Sequence, residues 1–510
     1  MNLRHLLLLP FAATSLLAAT AATDRPHVEI VRDTCFTGRG NTGEPLLTAT
    51  IVTDGTSRLR SVTLAPTGDP KNLDALHLEL ATTQGEHLFT GRYRAAAGPI
   101  RCRVGCSCPD TMILRLTADI AAEAREGDRI ACDIAELRFA DGGYAPEAPA
   151  PGSREILLCR RLLYAPGDFG SRNWRIPALR TLPDGSLLAV NDKRKFNEGD
   201  LPEDIDIVAS RSTDNGRTWS EPVAIAVGTG RKKGFGDPAL AVTREGEIIC
   251  VFVGGNHLWY STLDDPQLSY LSRSTDGGRT WSTPENITPQ LWGPEAPNPQ
   301  CRAYTYSFFG SGNGLTLERG EHAGRILFAA AMGPAKNLNN HAVYSDDGGR
   351  TWQVSDIAFR GGDEAKIVEL ADGRLLMSVR RHGQRGYNIS CDGGTTWGEQ
   401  GLWPEINTNA CNGDMIRYPL PDKAGTLLLH SVPNSMQRRN VSVFLSRDEG
   451  RTWCDPKVLC PYQSVYSSLT VLPDGTIGIY LEENPTPAGC ELWFMNFSLD
   501  WLTGSAPAGR

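Results

Sequence analysis

Apolar and polar positions along this chain fall into short bursts of six to nine residues rather than long periodic stretches. The clearest are GSLLAV from Gly185, GEIICVFV from Gly246, GRILFAAAM from Gly324, GRLLMSV from Gly373 and GTIGIYL from Gly475. Each reads as a strand, and three are entered through Pro-Asp-Gly or Ala-Asp-Gly turns. No sustained 3.6-residue period occurs in this half, so helices should be scarce. The N-terminal portion also alternates, in LLTATIVT, ALHLELAT and TMILRLTADI, whereas ADIAAEAREG from Ala118 reads as a short helix. Between the two portions YAPEAPAPG, Tyr144 to Gly152, reads as a linker.

A repeated octapeptide defines the larger part. Ser-x-Asp-x-Gly-x-Thr-Trp occurs five times, at Ser212–Trp219, Ser274–Trp281, Ser345–Trp352, Ser390–Trp397 and Ser446–Trp453. The Asp caps backbone amides of a tight turn, the Gly takes positive φ, and the Trp brings a large apolar face to bury. The Trp-to-Trp intervals of 62, 71, 45 and 56 residues suit four-stranded blades with insertions. The expectation is an all-β chain: a β-sandwich over residues 24–150, then a β-propeller over 151–510. Five boxes leave the blade number open, because a blade can lack the motif. The strand ELWFMNFSL is expected to close the ring with residues near Leu157.

The chain has 510 residues and a net charge of −8, which argues against non-specific nucleic-acid binding. Any anionic ligand must therefore be drawn in by a local Arg cluster. The start resembles an export signal over residues 1–23: Arg4 and His5, an apolar run from Leu6 to Ala19, and small residues to Ala22. The mature protein is expected to be exported, periplasmic or secreted, with no membrane span. Among thirteen cysteines, Cys102, Cys106 and Cys108 crowd together near Cys35 and Cys132 in sequence. Disulfides are the expected use and a metal the rival, but no His completes a zinc pattern, so no cofactor or metal is expected.

Three arginines stand at strand ends in different blades: Arg175 in NWRIPAL, Arg380 closing DGRLLMSVR, and Arg438 opening RRNVSVFLS. Only a closed ring can bring them together, and converging guanidinium groups suit a carboxylate ligand.

Arg175-Ile176-Pro177 followed by repeated Asp-boxes resembles the exo-α-sialidases (neuraminidases) of the bacterial type, from about Leu157 to Trp501. The resemblance implies a six-bladed propeller that hydrolyses terminal α-ketosidically linked sialic acid from glycoproteins, glycolipids or oligosaccharides. It implies retention of configuration through a tyrosyl-enzyme intermediate. Arg175, Arg380 and Arg438 match the carboxylate-binding triad, with Arg439 as fallback. Asp200 matches the acid/base, with Asp204 and Asp206 as rivals. Glu364 matches the base, with Glu369 as rival, and Tyr466 the nucleophile, with Tyr462 as rival. Glu482 matches the acid that orients the first Arg. Asp192, Arg194 and Asp237 match pocket residues. A Tyr nucleophile suits a substrate whose anomeric carbon carries a carboxylate, because a neutral phenol is not repelled, and nearby Arg charges are expected to favour the phenolate. The other readings are a non-catalytic sialoglycan-binding lectin and a trans-sialidase. The N-terminal domain resembles the carbohydrate-binding sandwiches that precede the propeller in some bacterial sialidases; a purely supporting domain is the alternative.

Overall fold

The computed structural model describes residues 26–147, 152–334, 337–420, 426–454, 456–486 and 489–505. The export signal expected at residues 1–23 lies outside the described residues. The chain divides into two compact units: residues up to Arg160 with the segment from Asp500, and Arg161–Leu499. Among the described residues no helix is long and apolar enough to cross a membrane.

The first unit is a β-sandwich. One sheet runs in the order His27–Arg32, Glu44–Val52, Thr111–Ile120, Leu73–Thr82, His87–Tyr93. The other runs Phe36–Gly38, Arg154–Leu157, Arg129–Phe139, Arg58–Thr67, Ile100–Ser107. Alternation sends Leu114, Leu116, Ala118 and Ile120 of the first sheet into a core shared with Leu59, Val62, Leu64, Ile130 and Ile134 of the second. The helix expected from Ala118 is not formed. Ala118 to Ile120 finish a strand, because their two-residue period buries a full apolar face and outweighs the helix propensity of alanine. Cys102, Cys106, Cys108 and Cys132 are free thiols rather than the expected disulfides. Cys102, Cys108 and Cys132 fill the sandwich core as small apolar side chains, and burial pushes the thiols of Cys102 and Cys108 up to about 11. Pairing continues through Arg154–Leu157, beyond the Pro-Ala segment.

Among the described residues the second unit forms six blades, each built on four strands. Blade 1 comprises Asn173–Thr181, Leu187–Arg194, Ile205–Ser212 and Val223–Ala226. Blade 2 comprises Phe235–Val242, Ile248–Gly255, Gln267–Ser274 and Glu285–Asn286. Blade 3 is built on Tyr306–Phe309, Ile326–Gly333, Asn339–Ser345 and Gln353–Val354, and blade 4 on Ala365–Glu369, Leu375–Val379, His382–Ser390 and Gly401–Asn409. Blade 5 uses Asp414–Pro419, Thr426–Pro433, Arg439–Ser446 and the first part of the long strand Lys457–Val471. The second part of that strand begins blade 6, which continues through Ile477–Thr486 and Gly489–Phe497. Its fourth strand is Cys159–Tyr164, so the ring closes two residues beyond the Leu157 expected from sequence.

This closure explains why six blades carry five boxes. Every box begins at the last residue of a third strand and turns the chain into a fourth. Blade 6 borrows its fourth strand from earlier in the chain and has no such turn to brace. Within box 3 the Ser345 hydroxyl donates to Asp347 Oδ1 (2.8 Å), which also accepts from Thr351 N (2.9 Å); Gly349 N donates to Ser345 Oγ (2.7 Å). Each box glycine then meets the preceding blade: a Cβ on Gly278 would lie 2.7 Å from Leu188 of blade 1. A Cβ on Gly216 would strike the Phe494 ring of blade 6 at 2.0 Å, so box 1 seals the ring. Trp219 meets the same ring edge-on at 5.3 Å.

Partial burial works to raise the Asp347 carboxyl, but the Thr351 amide and hydroxyl, Ser345 and the Arg350 amide outweigh it and hold the group down at about 2. Asp214, Asp392 and Asp448 are lowered in the same way. A depressed folded pKa stabilises the fold above the unfolded value, about 3.9, and that contribution fades as pH falls through the folded value. The melting temperature should therefore drop steeply between about pH 4 and pH 2, with a shallower slope in Asp347→Asn; calorimetry across pH reads both.

Candidate active site

Three inner strands carry bulges, and each bulge aims a side chain towards the same place. In blade 1 the register slips between Arg175 and Ala178, with Ile176 at φ 61°. In blade 2 it slips between Gly236 and Ala239, with Asp237 at φ 58°. Both strained residues precede proline, in RIPAL and GDPAL, which marks one device used twice. In blade 6 the slip between Ser464 and Ser467 leaves Val465 and Tyr466 out of the ladder.

Glu482, fully buried on blade 6, joins two of these bulges. Its Oε1 accepts from Arg175 Nε (2.7 Å) and Ile176 N (2.6 Å), and its Oε2 accepts from Tyr466 N (3.1 Å). The Arg175 guanidinium lies 5.6 Å from the centre of the Tyr466 ring. The Tyr466 hydroxyl donates to Glu364 Oε2 (2.8 Å) and accepts from Arg380 Nη1 (2.8 Å). Arg380 also pairs with Glu364, and through Nε with Asp363 Oδ2 (3.2 Å). The phenolate expected from sequence is not favoured. Burial pushes Tyr466 well above its ordinary value, Arg380 opposes that, and the Glu364 carboxylate adds to it. The Tyr466 hydroxyl points its proton at the Glu364 carboxylate.

A second group faces this pair. Arg194 Nη2 binds Asp192 Oδ2 (3.1 Å) and Asp200 Oδ1 (2.6 Å), and its Nη1 donates to the Glu198 carbonyl (2.7 Å). Asp200 sits exposed on its loop. Desolvation works to raise its pKa, but Arg194 and Arg175 prevail and hold the carboxyl below the usual range. Asp192 and Asp237 go the other way: burial raises both, and the charge of Asp192 raises Asp237 further. Asp237 N donates to Asp192 Oδ1 (3.1 Å).

Rival candidates separate by their partners. Asp204 and Asp206 both pair with Lys195 (2.6 and 2.9 Å), away from Arg194. Glu369 accepts the Glu318 and Arg319 amides at the opposite end of its strand. Tyr462 is more than a third exposed, whereas Tyr466 is buried. Arg439 reaches the Pro461 carbonyl (3.2 Å). Arg438 stays exposed, and its charge acts on the buried Cys411 thiol, which packs with Ile176, Val465 and Tyr466 and also feels Arg380, Glu364 and Glu482. Arg175, Glu482, Tyr466, Glu364 and Arg380 thus form one bonded cluster and Asp192, Arg194, Asp200 and Asp237 a second, while Arg438 meets the first only through its charge on Cys411. Arg380 also lines an open cavity of about 670 Å³ with Asn339, Gly362, Asp363 and His382.

Sequence reasoning missed Asp363, Ser311, Asn412, Lys366 and Arg385. Asp363 adjoins Glu364 and Lys366 follows it by two, so strand alternation from Glu364 was the available signal for the lysine. Ser311 and Asn412 lie between strands and carry no pattern.

A family model for BNR repeat-like domains matches residues 185–479. The sialidase of Micromonospora viridifaciens is 36% identical over 378 residues, 70% of this chain and 56% of that protein. The sialidase of Bacteroides fragilis is 30% identical over 345 residues, covering 62% of this chain and 61% of its own. The chain thus spans little more than half the length of these two relatives. Among solved structures, the Hadza microbial sialidase Hz136 superposes with a TM-score of 0.75 at 23% identity, over 93% of this chain and 99% of its own.

Removing the charge of Glu482 leaves Arg175 desolvated without its counter-ion and unpins both bulges. Glu482→Gln should lower stability by about 3–5 kcal/mol, read as a shifted urea midpoint at unchanged m-value.

Proposed function

We propose that this chain, which belongs to the BNR repeat-like domain family, is an exo-α-sialidase that hydrolyses terminal sialic acid from glycans with retention of configuration. The observation that carries the reading is the Tyr466 hydroxyl, 2.8 Å from both Glu364 Oε2 and Arg380 Nη1, beside the Arg175 guanidinium. A protonated phenol aimed at a buried carboxylate is a nucleophile with its base in place. Arginines from three blades supply the grip for a carboxylate ligand. The relatives named sialidase point the same way.

In this reading the substrate carboxylate binds Arg175, Arg380 and Arg438. Its negative charge cancels part of the field that keeps Asp200 ionised, and Asp200 takes up the proton it needs as general acid. The Tyr466 oxygen attacks the anomeric carbon as its proton passes to Glu364, and Asp200 protonates the departing glycosidic oxygen. Water then enters at the same carbon, Asp200 removes its proton, and the phenolate leaves and recovers its own proton from Glu364. Two inversions give net retention. Asp192 and Asp237, both raised by burial, offer carboxyl groups to polar groups of the sugar. The first unit serves as a glycan-binding sandwich, and the mature protein acts outside the cytoplasm.

Incubation with an α-linked sialoside, followed by NMR, tests cleavage and stereochemistry together. Free α-sialic acid should appear first; an anhydro product would indicate an intramolecular trans-sialidase, and binding without cleavage a lectin. Tyr466→Phe should abolish most turnover while sialic-acid binding survives; near-normal turnover would end the nucleophile assignment. Asp200→Asn should cost about 10²–10⁴-fold on a substrate with a poor leaving group and far less on an aryl sialoside.

A further inference from the structure

Behind Glu364 lies a chain of buried polar groups that the reaction as described does not use. Lys366 Nζ donates to Asn412 Oδ1 (3.0 Å). Asn412 Nδ2 donates to the Ser311 carbonyl (3.0 Å) and to Ser311 Oγ (2.9 Å). The Ser311 hydroxyl in turn faces Glu364 Oε1 at 3.5 Å, the long end of hydrogen-bond reach. Ser311, Glu364, Lys366 and Asn412 are each 1% exposed. Polar side chains so buried are retained only when their partners are satisfied.

The order of donors and acceptors makes the chain directional. An ammonium can only donate, and a carbonyl can only accept. Lys366 at one end and the Ser311 carbonyl at the other therefore settle which way the Asn412 amide faces; Gly413 N, donating to Asn412 Oδ1 (3.0 Å), agrees. With Asn412 Nδ2 on Ser311 Oγ, the serine proton is left for Glu364 Oε1. That oxygen faces the serine, and Oε2 alone faces Tyr466 and Arg380. The terminal torsion of a Glu side chain is otherwise broad, so the carboxylate needs such a hold.

Lysine suits the far end because its charge is braced within the ring. Asp414 and Glu364 favour its protonated form, while burial and Arg385 oppose it and bring it down to about 8. Asp414 is anchored across the axis by Asn313 Nδ2 (2.6 Å), Ser468 Oγ (3.0 Å) and Leu469 N (2.8 Å).

We propose that Lys366, acting through Asn412 and Ser311, is a positioning residue that fixes the rotation of the Glu364 carboxylate so that one oxygen serves the Tyr466 phenol. This rests on the sialidase reading. It bears on kcat more than on binding, because Arg175 and Arg438 are untouched and Arg380 keeps its ion pair with Asp363.

The test compares Ser311→Ala, which removes one hydroxyl, with Lys366→Met and with the double variant, on a fluorogenic sialoside. Each single change should lower kcat about tenfold, the worth of one buried hydrogen bond, with KM within about twofold. The double variant should lose about tenfold as well, not a hundredfold, because both changes break one chain. Additive losses, or losses in KM alone, would overturn the proposal. Crystal structures of the same variants need no turnover. In both, Glu364 Oε1 should leave its place and the carboxylate rotate; an unmoved carboxylate overturns the relay. Wild type without turnover would instead refute the sialidase reading, with the carboxylate geometry still deciding the relay.

Discussion

One buried carboxylate holds the active region together. Glu482 reaches Arg175 and Ile176, more than three hundred residues away in sequence, and the Tyr466 amide on the neighbouring strand. The two segments it ties are those that the sheets release as bulges. A bulge frees a backbone amide and turns a side chain out of the pleat, but it also loses ladder hydrogen bonds. Glu482 supplies the missing acceptors with charged oxygens and at the same time neutralises the guanidinium that the bulge presents. Strain at Ile176, a β-branched residue at positive φ, persists because this acceptor over-determines it.

Around that tie the same few residue types are pushed into different states. Arg194 and Arg175 hold Asp200 as an anion, although desolvation works against it. Asp192 is also bonded to Arg194, yet burial dominates there and its carboxyl is raised, as is that of Asp237. Tyr466 is kept protonated by burial, and Arg380 only moderates the effect. The proposed acid, base and nucleophile are thus separated by depth and by distance from guanidinium groups rather than by chemical type. The closed ring makes this possible, because its axis lets inner strands of several blades contribute charged groups to a shared low-dielectric space.

The architecture was legible because it is periodic. Ser-x-Asp-x-Gly-x-Thr-Trp fixes a turn by local hydrogen bonds that need no tertiary context, and each copy reports one blade. Blade 6 was invisible to that signal, since its fourth strand comes from Cys159–Tyr164 and no boxed turn exists. Arg175, Arg380 and Glu364 were legible as charges at the ends of strands that otherwise read as apolar. Lys366 was not, because a lysine within an alternating strand looks like a solvent-facing position until the neighbouring blade covers it. Ala118 to Ile120 misled in the opposite sense, where alanine-rich composition suggested a helix and core burial enforced a strand. The cysteines misled through assumed chemistry, since a sandwich core uses thiols as apolar filler.

The axis links stability and chemistry. Asp414 and Ser468 on two inner strands are joined by hydrogen bonds to each other and to Asn313 on the short strand Gly312–Asn313. Such a network costs desolvation and returns specificity of arrangement. Blades could slide against one another along an apolar axis at little cost, since dispersion has no direction. With the polar axis, a displacement of one blade breaks hydrogen bonds that nothing else can satisfy. The guanidinium groups and the phenol belong to different blades, so their mutual distances are only as reproducible as the blade register. The buried polar axis is therefore a condition for the proposed catalysis as much as for folding.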